Sequence, residues 1–377
     1  MRIGLSCNTI EPLICGGKLD GIGVYTQKLA QELEKAGETV VPVIFPPLKN
    51  RNLVPQLDQA LMMSQPYTLG AGLSALTGMD TPGAKKLQAK VDLYHCTDYM
   101  VPRLSKVPVL AMLHDAVKVQ HPDWNHARFR RLKNLGLKKA VQWADHYVTP
   151  SRAVIPELVE HFGIDEKNIS VVHLAISEFW YQSCSEAEKA AVIQKHRLRP
   201  RFFLFTGTLQ PRKNIEGMIK TMKSLPKPLQ AEHQLVLVGQ RGWIHEEVLA
   251  ELEQLAKTGL VRWLDYVSNE DLRCLYQAAQ LVLLPSLHEG FGFPILEGFA
   301  AGTPVITSKL FAMSEIAGQA AYLVNPHETE EIRDAIIHLL ENPSAAKHLV
   351  NQGKERLKDF SWGKTLQGLL KVYRSMR

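Results

Sequence analysis

Short runs of apolar, β-branched and aromatic residues without polar alternation recur along this chain, each followed by a stretch of helical periodicity. A strand apolar on both faces must be covered on both faces, which requires a parallel sheet between two helix layers. In the first half the runs are Arg2–Cys7, Thr39–Phe45, Val91–Cys96, Pro108–Leu113, His146–Thr149 and Ile169–His173, with helices expected over Ile22–Lys35, Ala127–Trp143 and Arg152–Phe162. Past a polar stretch at Tyr181–Lys189 the pattern restarts with Arg201–Phe205, Gln234–Val238, Val261–Leu264, Leu281–Leu284 and Val305–Thr307. At 377 residues the chain can bury two cores. The class that follows is α/β, with two doubly wound domains, 1–180 and 181–360, facing a central cleft, and a final helix in 361–377 packing back on the first. Ligands of such sheets sit at the carboxyl ends of the strands, so functional motifs are expected just after strands. Residues 46–90 show no clear element and read as a long insertion.

Composition removes several classes of function. Hydrophobic residues at 45% and charged residues at 22% describe a globular protein rather than a disordered one. The longest uncharged stretch, Gln59–Met79, is broken by Pro66, Gly70 and Gly72 and makes a poor membrane span. The N-terminus lacks a signal peptide's apolar region, so a cytoplasmic location is expected. Five cysteines, Cys7, Cys15, Cys96, Cys184 and Cys274, form no C-x-x-C pair and read as reduced thiols. The net charge of +6 is local: Trp124–Ala144 carries Arg128, Arg130, Arg131, Lys133, Lys138 and Lys139 and no acid. On a helix there, Phe129, Leu132, Gly136, Ala140 and Trp143 form an expected buried stripe with Arg131 and Lys138 opposite, a geometry suited to peripheral contact with an anionic membrane surface on its inner face. A nucleic-acid partner is not expected.

Spacing also eliminates chemistries. His245-Glu246 and His288-Glu289 are followed by Leu249 and Gly292 where a zincin needs its second histidine, and no G-x-S-x-G occurs. Gly363-Lys364-Thr365 ends like a P-loop, but Lys358 stands at the upstream glycine position. Gly21-Ile22-Gly23 lacks a third glycine at Thr26, which argues against dinucleotide binding. A loop of Gly16, Gly17, Gly21 and Gly23 opening a helix nevertheless lets backbone amides approach a phosphate. The segment Leu281–Thr307 reads strand, loop, helix, strand: Gly290, Phe291 and Gly292 form the loop, Pro294 suits a first helical turn, and Glu289 and Glu297 flank it. A helix N-terminus at a strand's carboxyl end accommodates a diphosphate, and the two carboxylates are suited to accept hydrogen bonds from vicinal hydroxyls. A diphosphate between two polyols is a nucleotide sugar. Gly207, Arg212 and Lys213 follow Arg201–Phe205, and His114-Asp115 follows Pro108–Leu113, again just past strands.

These motifs, with HEGFGFPILEGFAAGTPVITS around the glutamate pair, GTLQPRKN, LHD and ADHYVTPS, resemble the retaining glycosyltransferases of family 4, which have the GT-B fold of two Rossmann-like domains. The resemblance spans nearly the whole chain. It implies a nucleotide-sugar co-substrate held mainly by residues 181–360, a glycan or lipid-linked acceptor bound by residues 1–180, and neither metal nor other cofactor. It assigns Glu297 to the ribose, Glu289 to the donor sugar, Arg212 and Lys213 to the diphosphate, and His114, with Asp115 beside it, to the donor sugar near the reacting carbon. Gly21, Gly23, Gly207, Gly290, Phe291 and Gly292 complete the implied donor site. The commoner family pattern has an arginine where Thr208 stands, which leaves open which cation meets which phosphate. The GT-x-x-PRKN form is similar to that of mannosyltransferases of polysaccharide assembly, so GDP-mannose is the expected donor. Alternatives are a nucleotide-sugar hydrolase or epimerase, and a non-catalytic nucleotide-sugar-binding subunit.

Overall fold

The computed structural model describes residues 1–16, 19–49, 54–124 and 130–377. The chain forms two units, one built on residues up to Leu174 together with Trp362–Arg377, the other on Ala175–Ser361. Among the described residues the first unit contains seven strands in the order β3-β2-β1-β4-β5-β6-β7, where β1 is Arg2–Ser6, β2 Thr39–Ile44, β3 Leu61–Met62, β4 Leu93–Cys96, β5 Val109–Met112, β6 His146–Thr149 and β7 Ile169–Val171. All pairs are parallel, with Ile3 opposite Val40 on one side and Leu93 on the other. Val109, Leu110, Ala111 and Met112 are all fully buried, which is what a sheet covered on both faces produces.

The second unit repeats the plan with β8 Arg201–Thr206, β9 His233–Val238, β10 Val261–Leu264, β11 Leu281–Leu284, β12 Val305–Ser308 and β13 Tyr322–Val324, ordered β10-β9-β8-β11-β12-β13. In each sheet the chain reverses its direction of travel beside the first strand, between β1 and β4 and between β8 and β11. Such switch points open crevices at the carboxyl ends of the strands.

The C-terminal helix Trp362–Ser375 belongs to the first unit. Trp362 stacks on Tyr25 with ring centroids 6.0 Å apart, Thr365 Oγ1 donates to the His173 carbonyl at 2.8 Å, and Tyr373 Oη meets His95 Nδ1 at 2.7 Å. Thr365 is therefore a buried helical contact, and no strand–loop–helix phosphate cradle surrounds it.

Three expectations need correction. Residues 46–90 contain β3 and two helices, Tyr67–Thr77 and Ala84–Gln88. The first turns its small residues Gly70 and Ser74 inward, so the large apolar side chains that usually reveal an amphipathic helix face out. In the basic helix, described over Arg130–Val141, Ala140 and Val141 are buried and Leu137 and Trp143 pack on the core. Leu132, placed on the buried stripe by the sequence reading, is 70% exposed, and Gly136 is exposed as well. Arg128 and Phe129 lie outside the described residues, as do Gly17 and the side chains of Arg130 and Arg131. Finally, Cys184 and Cys274 are joined in a disulfide, while Cys7, Cys15 and Cys96 are free thiols. The pair is 90 residues apart, and Gln277 and Arg273, on the helix Asn269–Ala278, hold the backbone and side chain of the segment Gln182–Cys184 beside it.

Candidate functional site

The carboxyl ends of β8 and β11 are adjacent, so the loops that leave them share one crevice in the second unit. After β8 the backbone passes through Gly207 at φ 140°, where a Cβ would lie 3.4 Å from Lys213 Cε. It then forms a short turn, Pro211–Lys213, ending at Asn214 in the left-handed region with φ 58°. Asn214 caps the helix Ile215–Ser224 by accepting from the Gly217 amide, and its Nδ2 donates to the carbonyls of Pro285 at 3.0 Å and Pro326 at 2.7 Å. The Leu287 amide donates to the Arg212 carbonyl at 2.7 Å. The cationic turn is thus fastened to the loop after β11 from both sides.

Within that loop Glu289 is buried and accepts from Arg212 Nη1, Lys213 Nζ and Ser286 Oγ. Burial alone raises a carboxyl pKa, but here the charges of Arg212 and Lys213 and their hydrogen bonds prevail and hold Glu289 down to about 2. At neutral pH the residue is ionised, with its charge engaged by the two cations.

Gly292, at φ 102°, leads into the helix Phe293–Ala301, which has Pro294 in its first turn and no side-chain cap. Phe291 is buried against Phe293 and Phe360, with centroids 5.3 and 5.9 Å away, and so braces the loop. One turn into the helix, Glu297 Oε2 accepts from Tyr276 Oη, which is also hydrogen-bonded to Thr206 Oγ1 at the end of β8. Burial pushes the Glu297 carboxyl up to about 7, against the opposing effects of the Tyr276 hydrogen bond and the Lys213 charge. Two glutamates seven residues apart within one motif are therefore driven in opposite directions, and a separation of that kind is what divides roles among carboxylates in a site.

The first-unit candidates follow β5 and β1. His114 Nε2 lies 3.0 Å from the Thr97 carbonyl, which can only accept, so Nε2 carries the hydrogen and Nδ1 is left as an acceptor. Burial lowers the pKa of His114, keeping the ring neutral at pH 7. Asp115 is held by Tyr99, whose hydroxyl donates to its carbonyl at 2.9 Å, and its own Oδ1 accepts from the Val117 amide at 3.2 Å. Gly21 begins the helix Gly21–Lys35, and the Gly23 amide is taken by the Asp20 carboxylate at 2.8 Å. A Cβ on Gly23 would come within 2.8 Å of the Thr9 carbonyl, so this glycine is explained by close packing, and its amide is not open to an anion.

The sequence reading missed Tyr276, Thr206 and Ser286. Asn214 stands in the PRKN run and its helix-capping position was legible, but Tyr276 carries no local signal because its role depends on a helix folding across β8.

The motifs of this crevice agree with comparisons to known proteins. Residues 186–356 match the family described as glycosyl transferases group 1, and residues 19–178 match glycosyltransferase family 4. The chain belongs to these glycosyltransferases, and its two parallel-sheet units are the GT-B architecture. The O-antigen chain mannosyltransferase B of Escherichia coli is 28% identical over 371 residues, covering 94% of this chain and 96% of that protein. The D-inositol 3-phosphate glycosyltransferase of Salinispora tropica is 25% identical over 396 residues, covering 95% and 81%. Among solved structures, sucrose-phosphate synthase of Thermosynechococcus elongatus has a TM-score of 0.75 at 18% identity, over 100% of this chain and 99% of that one. Anabaena HepE in complex with UDP and glucose has a TM-score of 0.74 at 18% identity, over 100% of both.

Proposed function

We propose that this glycosyltransferase moves a hexose, with mannose favoured and GDP-mannose the leading donor, to a glycan or lipid-linked acceptor in cell-surface polysaccharide or glycolipid synthesis. The configuration at the anomeric carbon is retained, and no metal ion is used. The observation that carries this reading is the cluster of Arg212, Lys213 and Glu289 at the carboxyl ends of β8 and β11, with Glu297 one helical turn away. The mannosyltransferase relative supports the choice of sugar.

In this reading Arg212 and Lys213 neutralise the departing diphosphate, the role a metal ion fills elsewhere, and Glu297 takes the ribose hydroxyls. Glu289 accepts from hydroxyls of the transferred sugar while fixing both cations. Because its charge is engaged by two cations and the Ser286 hydroxyl, it is a poor covalent nucleophile, which favours a front-face reaction. The sugar then passes through an oxocarbenium-like state, and the acceptor's proton goes to the leaving diphosphate oxygen. The neutral His114 ring, with Nδ1 free of the Thr97 contact, is suited to accept from a donor-sugar hydroxyl.

Thermal stability measured with UDP, GDP and ADP sugars tests the donor assignment, since a ligand that binds the folded state alone raises its melting temperature by mass action. GDP and GDP-mannose should give the largest shift, removed by Glu297→Ala. A shift confined to UDP or ADP sugars would overturn the donor, and no shift with any of them would overturn the site.

A further inference from the structure

Helices Tyr67–Thr77 and Arg130–Val141 pack side by side in the first unit, and the Lys139 ammonium donates to the Ala75 carbonyl between them. Their inward faces are Gly70 and Ser74 on one and Ala140 and Val141 on the other. Tyr67 and Leu137 pack on the core, but the other leucines of both helices point to solvent. Leu69, Leu73 and Leu76 are 43%, 42% and 88% exposed, and Leu132 and Leu135 are 70% and 65% exposed. Spacings of four and three residues place each set on a single helix face. Just past the first helix, Met79 is 60% exposed. Five exposed leucines on the outer faces of two packed helices point to an interaction site rather than ordinary surface scatter.

The charges around it select the partner. Lys133, Lys138 and Lys139 stand on the second helix, Arg128, Arg130 and Arg131 adjoin or begin it in sequence, and neither Gln59–Met79 nor Trp124–Ala144 contains an acid. A second copy of the chain would set like charge against like charge. A nucleic acid would leave five leucines in water. A surface that is anionic outside and apolar beneath satisfies both features at once.

We propose that this two-helix face docks the protein on an anionic phospholipid bilayer, with the leucines entering the headgroup–acyl boundary and Lys133 and Lys138 meeting lipid phosphates. The leucine that a buried-stripe reading would assign to the core is then part of the membrane contact. Docking does not depend on the donor assignment and is tested without any sugar nucleotide.

The full chain is sedimented with vesicles of phosphatidylcholine alone and with vesicles carrying about a third phosphatidylglycerol. Binding to the anionic vesicles alone, weakened by added salt, is expected. Each cation near such a surface is worth roughly fivefold in partitioning, so Lys133→Glu/Lys138→Glu should lose well over tenfold. Leu73→Ser/Leu76→Ser/Leu135→Ser should lose at least about tenfold, because those side chains supply the apolar contact. Apart from the half-buried Lys138 the substituted residues are exposed, so circular dichroism and melting should match the parent. Tryptophan emission from Leu76→Trp should shift to the blue with anionic vesicles only. Equal binding to neutral vesicles, binding untouched by the substitutions, or no emission shift would overturn the proposal. So would a lipid-free dimer, seen by ultracentrifugation, that Leu76→Ser dissociates, because the face would then be a contact between copies.

Discussion

Replacing Glu289 with glutamine keeps the shape of the side chain and removes its charge, which puts the cation cluster itself under test. Glu289 titrates near 2 in the folded chain against an ordinary 4.5. Its folded value is therefore depressed, and the stability it contributes is present above 4.5 and is lost as pH falls toward 2. The difference corresponds to about 3 kcal/mol between the ionised and neutral forms. Glutamine imitates the neutral form at every pH, so Glu289→Gln should be destabilised by about 3 kcal/mol at pH 7 and should converge on the parent under acid conditions. The variant also takes the Glu289 charge away from Arg212 and Lys213, and a diphosphate supplies negative charge in its place. Urea melts with and without GDP should show a larger stabilisation by the nucleotide in the variant than in the parent. Turnover should fall about ten- to a hundredfold, because the contact to the transferred sugar is lost in the transition state. A variant as stable as the parent, with the same response to GDP, would refute the ion cluster, and unchanged turnover would refute its place in the reaction.

Three further outcomes are expected. Glu297 titrates near 7, above its ordinary 4.5, so the stability given by its neutral form is complete below 4.5 and is lost as pH rises through about 7. Ribose hydroxyls donate to the ionised form, so calorimetric GDP affinity should rise between about pH 6 and about pH 8. Glu297→Gln should flatten that profile, and a flat profile in the parent would contradict the ribose role. Tyr276→Phe removes a hydrogen bond to Glu297 and should weaken GDP binding roughly tenfold with kcat nearly intact; a loss confined to kcat would show that Tyr276 does not act through nucleotide binding. Thiol titration of the unfolded chain without reductant should count the three free cysteines, rising by two on reduction, and finding all five at once would contradict the Cys184–Cys274 bond.

Most strands were legible because their residues are apolar on both faces, and His146–Thr149, Val261–Leu264 and Leu281–Leu284 begin and end where the pattern placed them. β3, at two residues, is too short to show a period, and the three-residue β13 was not read although the equally short β7 was. The helix Tyr67–Thr77 was hidden by burying glycine and serine in place of leucine. In the second unit, Arg212, Lys213 and Glu289 follow directly from strand ends, so their convergence was anticipated by topology alone. Their direct pairing was not, since the sequence reading gave the cations to phosphate and the carboxylate to sugar. The Thr206–Tyr276–Glu297 chain and the disulfide join residues of separate elements, and no spacing rule reaches across that distance in sequence.

The account stands most directly on one measurement, incubation of the protein with GDP-mannose and a mannose-terminated acceptor, with the products followed by mass spectrometry and proton NMR. It predicts GDP release that depends on the acceptor, an acceptor heavier by one hexose, and a new linkage with the anomeric configuration of the donor, all slowed about ten- to a hundredfold in Glu289→Gln at matched folding. Release of GDP and free mannose without regard to acceptor would show a hydrolase, and a product of inverted configuration would contradict the front-face mechanism.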